Sequence, residues 1–556
     1  MVRKQQVLET RKNLTELELR WTHGDQEAQN NNHEEVVEGL KPHDGLKVLR
    51  IYSCGNITSS GNSSPVRIGK FTLFVQRRCY RIGKFEAWLD TDVVPGEETI
   101  FPKVEELVIG ECGSLTALPK AASVITESSG GVDTKCRSAF PALWNMTLRS
   151  LNMFDRWEAV EGTPGDGVTF PLLEELKIKF CPKLTGLPET PKLGKLAIEG
   201  GHQISLQAAS RCIPSLSSLR LDVSPDDAET TLLHVKQKWD HELPLAAMTL
   251  RRCDILFSSH PGALALWTCF ARLVDLRIWN CDALVYWPEN VFQVLVSLRR
   301  LSIFWCSKLT GHTQASDGQS APERGGLLPR LEYLYISDCT SLVEVPNLPA
   351  SLKELHIGFC GNNLKSIIFG QHEYVMPVGG EGVVQPDTSS LIPGSSGSEA
   401  TASTAVVKLS SAANHRSLPC LESLIIQSCD HLSEVANLPP SIKFLEIYSC
   451  GNLQSLSGKL DVVQKLTIRF CGRLKSLESC VGELWSLEDL RLDCCESLVS
   501  LPDGPQAYSS LRVLDIQDCG GIKLLPRSLR SHLDCLEEKH LDARYEGNLP
   551  FPACFF

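Results

Sequence analysis

A spacing of apolar residues that returns along most of the chain limits the fold more than any other feature of this sequence. The frame L-x-x-L-x-I-x-x-C-x-x-L-x-x-L-P is filled from Leu173 to Pro188 and again, with Ile for one Leu, from Leu511 to Pro526. Within 331–360 four frame residues return 21 positions later: Leu331, Leu334, Ile336 and Cys339 become Leu352, Leu355, Ile357 and Cys360. A repeat of this length sets the fold of the whole chain, so it is considered before any local motif.

The frame begins about 17 times along the sequence. Clear copies start at Leu46, Val104, Leu173, Leu273, Leu298, Leu331, Leu352, Leu421, Ile442, Val463, Leu487 and Leu511. Weaker copies start at Leu14, Leu148, Leu193, Leu216 and Leu245.

The spacing has a physical cause. Frame positions four and six are two residues apart, which is the period of a β-strand, so their side chains point to one face. So short a strand cannot bury that face alone, but stacking successive strands in a parallel sheet closes the core. The proline-containing segments between strands suit short, irregular return paths. The frame therefore predicts an α/β repeat solenoid: a leucine-rich-repeat horseshoe with short parallel strands on its concave face and irregular or short helical convex crossings.

Frame position nine is a cysteine in thirteen units. A small, mostly apolar side chain with a weak S–H donor fits the buried corner where the chain turns after the strand. Neighbouring rungs would lie about 4.8 Å apart, which raises disulfide and metal-site alternatives. We expect buried thiols instead, because no C-x-x-C pair occurs and the chain has no export signal. The thirteen are Cys54, Cys112, Cys181, Cys253, Cys281, Cys306, Cys339, Cys360, Cys429, Cys450, Cys471, Cys495 and Cys519.

Composition narrows the classes of partner. The net charge of -11, without a clustered basic face, argues against nucleic acid as a partner. No apolar run is long enough to span a membrane, and the N-terminal residues lack the pattern of a signal peptide. The expected location is therefore cytoplasmic or nuclear.

Interruptions of the frame predict the domain organisation. The repeats form a first arc over 1–368, with loop insertions near 58–100, 120–140 and 311–326, and a second arc over 418–530. Between the arcs, 369–417 is rich in Ser, Gly and Thr and is predicted to be a disordered insertion. The charged segment 531–556 is predicted to cap the last repeat.

No sequence motif of catalysis or cofactor binding is present. The phosphate-binding G-x-x-x-x-G-K-[ST] loop, G-x-G-x-x-G, H-E-x-x-H, G-x-S-x-G and the kinase signatures are all absent. The sequence therefore predicts a protein that is not an enzyme and that binds no cofactor or metal. His356 occupies an outward strand position, where we expect no catalytic or ligand-binding role.

Outward-facing strand positions carry the candidate partner-binding residues. Aromatic and arginine side chains on a concave sheet are typical of protein-binding surfaces, because a partner can desolvate them over a large area. At position eight, where Phe180, Phe359 and Phe470 stand, the expectation is that the rings tuck into the turn, with exposure to a partner as the alternative. The predicted contacts are Trp279, Phe304, Tyr335, Tyr448, Arg277, Arg469 and Arg491.

Several phrases resemble a known family: LEELKIKFCPKLTGLP, LPASLKELHIGFC, LPPSIKFLEIYSCGNL and EEVVEGLKPHDGLKVLRIYSC. They look like the leucine-rich-repeat region of plant intracellular nucleotide-binding immune receptors, notably the coiled-coil class abundant in cereals. The resemblance implies recognition of a pathogen effector or a guarded host protein, and packing against the receptor's nucleotide-binding module. The chain begins inside the repeats at RKNLTELELRW, without the coiled-coil and nucleotide-binding domains, so it reads as a fragment or truncated product, and nucleotide binding is not implied.

Two other classes of protein use such repeats. One is the substrate-recruiting arm of a ubiquitin ligase, which would carry an F-box-like helical segment; none precedes Leu14. The other is a secreted or cell-surface receptor ectodomain, which would have paired cysteines.

Overall fold

The computed structural model describes the repeats in a series of ranges. These are residues 15–20, 46–52, 63–68, 71–76, 82–88, 103–113, 115–116, 118, 123–128, 131–136, 140–155, 157, 170–200, 211–222, 243–257, 261–312, 327–346, 348–370, 418–477, 480–481 and 484–546.

A long parallel sheet, here called the inner sheet, runs through these ranges. Each of its strands pairs with the strand of the next unit, in parallel. Its 18 strands are Glu16–Arg20, Val48–Tyr52, Glu106–Gly110, Asn145–Arg149, Glu175–Lys179, Lys195–Glu199, Ser218–Asp222, Ala247–Arg251, Asp275–Trp279, Arg300–Phe304, Tyr333–Ser337, Glu354–Gly358, Ser423–Gln427, Phe444–Tyr448, Lys465–Arg469, Asp489–Asp493, Val513–Gln517 and Glu538–Leu541.

The pairing matches each frame position with the same position of the next unit. Leu276, Leu301 and Leu334, all at position four, are paired in a row, and each is fully buried. Burying a Leu or Ile side chain contributes about 1.5–3 kcal/mol, and here the burial exists only while the neighbouring unit is in place. The chain is therefore a leucine-rich-repeat solenoid, as the frame predicts. The side of the inner sheet that carries positions three, five and seven is called the concave face below.

One weak unit begins elsewhere than predicted. The strand Asn145–Arg149 places Met146 and Leu148 at positions four and six, so the unit begins at Leu143 rather than at Leu148. The spacing from Leu148 to Leu151 imitates the start of a frame, but Leu151 occupies the corner that cysteine fills elsewhere, and it is fully buried.

A sharp turn at position eight follows fourteen of the described inner strands. Thirteen non-glycine residues at this position have φ between 49° and 59°, the left-handed region, and Gly200 joins them with φ of 79°. In twelve of these turns the backbone N–H of position eight donates to the carbonyl of position seven in the next unit, as from Phe180 to Glu199 at 2.8 Å. In the other two, Gly200 and Asp518 donate to the position-seven carboxylates of Asp222 and Asp542. None of the thirteen residues is β-branched, since such side chains tolerate this backbone region poorly.

The cysteines of position nine line the corner behind this turn. Cys54 lies outside the described residues; the other twelve are buried and present as free thiols. Each of the twelve S–H groups lies 3.3–3.6 Å from the carbonyl oxygen of its own position seven, to which it donates. The predicted ladder of buried sulfur atoms is confirmed for these units.

Short elements cross the outer side of the solenoid. A second parallel sheet, of four strands, comprises Ser366–Ile368, Glu434–Leu438, Ser455–Lys459 and Cys480–Val481. The described α-helices are Pro261–Trp267, Glu289–Val294, Arg527–His532 and Ala543–Glu546, and the described 3-10 helices are Ile213–Ser215, Asp254–Phe257, Thr268–Phe270 and Leu533–Cys535. Among the residues that the structure describes, no helix combines the length and apolarity needed to cross a bilayer.

Two insertions that the sequence analysis treats as loops contain antiparallel strands. Near 58–100 the strands are Ser63–Ile68, Phe71–Gln76 and Ile82–Trp88, and near 120–140 they are Ser123–Ser128 and Gly131–Cys136. The core of the third insertion (313–326) and most of the predicted disordered segment (371–417) lie outside the described residues. On either side of the latter, Glu354–Gly358 pairs directly with Ser423–Gln427, so the inner sheet continues from the first arc into the second.

The predicted cap contains one more inner strand, Glu538–Leu541, followed by the helix Ala543–Glu546. Tyr545 on this helix is almost fully buried, and its hydroxyl lies 2.9 Å from the carbonyl oxygens of both Cys519 and Ile522. A tyrosine thus closes the last corner of the described repeats, where the cysteine ladder ends.

Candidate partner-binding surface

Four rings on the concave face form a continuous series across four neighbouring strands. Trp279 and Phe304 are paired at position seven, and Tyr335 and His356 are paired at position five. Their centroids lie 4.1 Å apart from Trp279 to Phe304, 4.8 Å from Phe304 to Tyr335, and 4.2 Å from Tyr335 to His356. We call these four residues the aromatic ladder. It places three of the predicted contact residues in one surface.

The ladder is half-buried and open on one side. All four of its members are partly exposed, and Trp305 at the neighbouring position eight packs edge-on against Trp279 with centroids 5.1 Å apart. Trp305 itself is 47% exposed. Rings held rigid by their neighbours lose little conformational entropy when a partner covers them, so the ladder can anchor a bound protein.

His356 is a member of this surface that the sequence analysis assigned no role. Burial of its imidazole lowers the pKa of His356, while Cys429 and Glu446 act in the opposite direction, so the ring is neutral at pH 7. Its Nε2 atom is shielded from solvent without a hydrogen-bond partner. Its place on this surface could have been predicted from its frame position, because position five of its unit pairs with Tyr335 of the preceding unit.

Tyr448 lies apart from the ladder. Its strand is the third after that of Tyr335, and its hydroxyl donates to Glu446 at 2.8 Å. Burial and this hydrogen bond raise the pKa of Tyr448 to about 12. Burial alone would raise the pKa of Glu446, but hydrogen bonds from Lys465 (2.6 Å) and Tyr448 outweigh it, and the pKa is lowered. Tyr448 thus belongs to a polar network.

The three predicted arginines are held by carboxylates of the same sheet. Arg277 pairs with Asp275 at 3.1 Å, and Arg491 pairs with Asp489 at 2.9 Å. Arg469 reaches Asp515, two strands away, at 3.4 Å. Their charges are therefore largely compensated before any partner binds.

Two other arginines on the concave face are exposed. Arg251 is paired in register with Trp279, and Arg300 is paired with Asp275 on one side and Tyr333 on the other. Within the described part of the chain neither guanidinium makes an ion pair. These two arginines are not predictable as contacts from the sequence, because the frame identifies neighbours but not which charges compensate each other.

The position-eight phenylalanines are exposed, so the reading in which they tuck into the turn is wrong. Phe180, Phe359 and Phe470 are 56%, 45% and 53% exposed. Their left-handed backbone directs the side chain away from the core, which the cysteine behind them fills. The ring of Phe180 lies against Gly200, where a Cβ atom would collide with it.

One group among the described residues brings three possible metal ligands together. Donor atoms of Asp493, Cys494 and Asp518 lie within 4.8 Å of one another. A hydrogen bond with Asp493 raises the pKa of the Cys494 thiol to about 11, which opposes ligation by a thiolate. The group is partly or fully exposed to solvent, and we assign it no metal.

A comparison with protein families matches the first part of the chain. Residues 2–125 match the family described as R13L1/DRL21 LRRs, a leucine-rich-repeat type of plant resistance proteins. This range includes the first three inner strands. No curated protein matches the chain.

Solved leucine-rich-repeat structures resemble the chain only loosely. A TLR13–ssRNA13 complex has 16% sequence identity and a TM-score of 0.26, over 80% of this chain and 73% of the other. The plant peptide hormone receptor RGFR1 in complex with RGF2 has 12% identity and a TM-score of 0.25, over 85% and 82%. CroV588, a circular LRR protein, has 12% identity and a TM-score of 0.24, over 87% and 78%. With scores this low, these likenesses add nothing to the argument from the repeats.

Proposed function

We propose that this leucine-rich-repeat chain is the recognition solenoid of a plant innate immune receptor, and that it binds a pathogen effector or a guarded host protein through its concave face. The match of residues 2–125 to resistance-protein repeats supports the immune setting. The aromatic ladder supports the choice of surface, because its three partly exposed aromatic rings and His356 contact one another and can anchor a partner together.

The ladder is the centre of the proposed site. Trp279, Phe304 and Tyr335 provide apolar area, which contributes roughly 25 cal/mol for each Å² removed from water. Tyr448 and Arg469, with Arg491, form a second contact region further along the sheet, where hydrogen bonds and ion pairs keep the side chains in fixed positions. Arg277 lies at the edge of the ladder beside Trp279.

The proposal includes a cytoplasmic or nuclear location and restraint of a nucleotide-binding module of the parent receptor. The free, buried thiols of the described repeats agree with a reducing compartment. No observation on the described residues favours the ubiquitin-ligase alternative.

The site is tested by selection and mutation. A displayed library of plant-protein and pathogen-secreted fragments is selected on the wild-type chain, and the Kd of each selected fragment is then measured by interferometry. We expect Trp279→Ala with Tyr335→Ala to weaken binding at least about tenfold, which is about 1.4 kcal/mol. The matched control, Tyr286→Ala with Trp485→Ala, removes two exposed rings outside the ladder and should leave Kd unchanged. Equal affinity for the ladder variant, in a protein with wild-type circular dichroism, would rule out this site.

The compartment is tested separately. A fluorescent fusion expressed in leaf cells should be found in the cytosol or nucleus, and the denatured, unreduced protein should titrate with nearly all of its thiols free. Passage through the secretory route, or few free thiols, would contradict an intracellular receptor.

A further inference from the structure

We infer that the segment bound at the aromatic ladder is an acidic peptide strand, in which apolar side chains alternate with Asp or Glu. This inference rests on the proposed function, because it assigns the chemistry of the partner at the same surface. It is carried by two arginines that flank the ladder and by the carboxylates around them.

Arg251 stands at the Trp279 end of the ladder, and Arg300 stands beside its middle, in register with Asp275 and Tyr333. Arg251 is the in-register neighbour of Trp279, one strand away, and Arg300 is on the strand of Phe304. Both side chains are exposed, and among the described residues neither has an ion-pair partner. A partner that covers Trp279 therefore meets the charge of Arg251, and one that extends along the strand of Phe304 also meets the charge of Arg300.

The nearby carboxylates are already engaged by other cations. Asp275 accepts hydrogen bonds from Arg277 at 3.1 and 3.3 Å, and Asp222 is bound by Arg252 at 2.8 Å. Glu332 is shared between Arg299 at 3.5 Å and Lys353 at 3.4 Å. Few local carboxylates are thus left to neutralise Arg251 and Arg300.

At the opposite end of the ladder, beyond Tyr335, the nearby charges are negative. Beyond Tyr335 the concave face carries Glu354, which is exposed, and the adjoining position-eight turn carries Asp338, which accepts a hydrogen bond from Ser337 at 2.6 Å. His356 adds no positive charge there, because its burial favours the neutral ring. The charge across the strands therefore changes from positive at Arg251 and Arg300 to negative at Glu354, and the acidic residues of the bound segment belong toward the Trp279 end.

The net charge of the chain strengthens this preference. The whole protein carries a charge of -11, so most of its surface repels an acidic segment. A local positive site on such a background directs the segment to one place and discourages binding elsewhere.

Single-stranded nucleic acid is disfavoured as the occupant. Nucleobases bind by stacking on open aromatic faces along a basic groove. Here Trp279 and Phe304 are stacked on each other with only 22° between their planes, so one face of each ring is already covered. Two arginines without ion-pair partners are also too few to neutralise the several phosphates of a bound strand.

The test uses three fluorescein-labelled synthetic peptides with the same Trp and Leu residues at alternate positions. The intervening positions are Asp in the first, Ser in the second and Lys in the third, and binding to the full chain is followed by fluorescence polarisation. We expect the Asp peptide to bind at least about tenfold more tightly than the Ser peptide and to weaken as salt is added, with the Lys peptide weakest.

Charge variants locate the effect. Arg251→Glu with Arg300→Glu should weaken the Asp peptide at least about tenfold, and Arg251→Gln with Arg300→Gln should give an intermediate loss. The matched control, Lys192→Glu with Lys523→Glu, makes the same change in net charge at two exposed lysines off the concave strands and should change Kd less than twofold. Thermal melts establish that each variant is folded.

The outcomes separate this inference from the proposed function. Equal binding of the Ser and Asp peptides, no effect of the arginine reversals, absent binding of the Asp peptide, or tighter binding of a labelled oligouridylate would each overturn the acidic preference. If the peptides still lose affinity in the Trp279→Ala, Tyr335→Ala variant, the ladder remains the binding site and only the charge preference fails. If that variant binds like the wild type, the proposed site fails as well.

Discussion

The indole of Trp279 lies on the phenyl ring of Phe304, with ring centroids 4.1 Å apart and 22° between the ring planes. The two residues occupy frame position seven on neighbouring inner strands, so backbone pairing holds them in contact. Such a pair contributes about 0.5–1.5 kcal/mol beyond the apolar area that it buries.

This stacking predicts a coupling between the two residues in the folded protein. We expect Trp279→Ala and Phe304→Ala, alone and together, to give a double-mutant coupling energy of about 1 kcal/mol in urea unfolding. The control cycle joins Trp279→Ala to Tyr448→Ala, which share no contact, and should be additive. An additive result for Trp279 and Phe304 would show that the stacking contributes nothing to stability.

Gly200 predicts a substitution that the backbone and a neighbouring ring both oppose. Its φ of 79° is unfavourable for other residues, and a Cβ atom there would strike the ring of Phe180. Gly200→Ala should therefore lower the free energy of unfolding by about 1–3 kcal/mol. In the background of Phe180→Ala the loss should shrink, because only the backbone term remains. A loss of the same size in both backgrounds would show that the ring contact is not involved.

The cysteine ladder predicts which thiols react in the native protein. Burial raises the pKa of Cys181 and Cys471 to about 11, and that of Cys306 and Cys339 to about 12, so these thiols keep their protons at pH 8. The thiolate is the reactive form, and we expect iodoacetamide to modify the exposed Cys420 and Cys535 long before Cys339. Mass spectrometry of peptides after timed labelling measures this order. Modification of Cys339 at the rate of Cys535 would contradict the buried ladder, and unfolding the protein in denaturant should abolish the difference.

His356 predicts a dependence of stability on pH. Burial holds its pKa below the ordinary value of 6.5, against the opposing influence of Cys429 and Glu446. The unfolded chain therefore binds a proton more readily than the folded chain, so this contribution to stability is intact above about pH 6.5 and is lost as the pH falls through the folded pKa.

The measurement is the free energy of unfolding in urea at pH 7.5 and at lower pH, for wild type and His356→Phe. The phenyl ring preserves an aromatic contact with Tyr335 but cannot titrate, so the variant should lose less stability on acidification than the wild type. His431→Phe, at an exposed position, should keep the wild-type pH profile. An unchanged profile for His356→Phe would show that the His356 proton is not linked to folding.

The repeat frame predicted most of the inner sheet because burial and strand period act locally. Leu334 and Ile336 must share a buried face wherever the strand lies, so their spacing identified the strand Tyr333–Ser337 without any tertiary information. The error at Leu148 shows the limit of this rule. Two apolar residues three positions apart fit frame positions one and four as well as positions six and nine. Leu148 and Leu151 occupy positions six and nine, and the true phase was missed because position four is Met146 and not leucine.

The candidate site was only partly predictable. The frame predicted the strand positions of Trp279, Phe304 and Tyr335. Contact between rings also requires an aromatic residue on the neighbouring strand. Tyr448 lacks one, because its paired neighbours are Gln427 and Arg469. Pairing of charges depends on side-chain reach. That is why Arg277 was predicted as a contact although Asp275 pairs with it, whereas Arg251 and Arg300, which have no ion-pair partner among the described residues, were not predicted.

The hydrogen bond from each position-eight turn to the next repeat has a consequence for how such a protein can change over generations. Inner strands remain aligned whether 20 residues separate their starts, as from Glu175 to Lys195, or 69, as from Glu354 to Ser423. Insertions and deletions on the outer side therefore leave the strand pairing of the described inner sheet, and with it the proposed binding surface, intact. Single codon changes at positions five and seven can then alter what is recognised, while the gene around them gains or loses sequence freely.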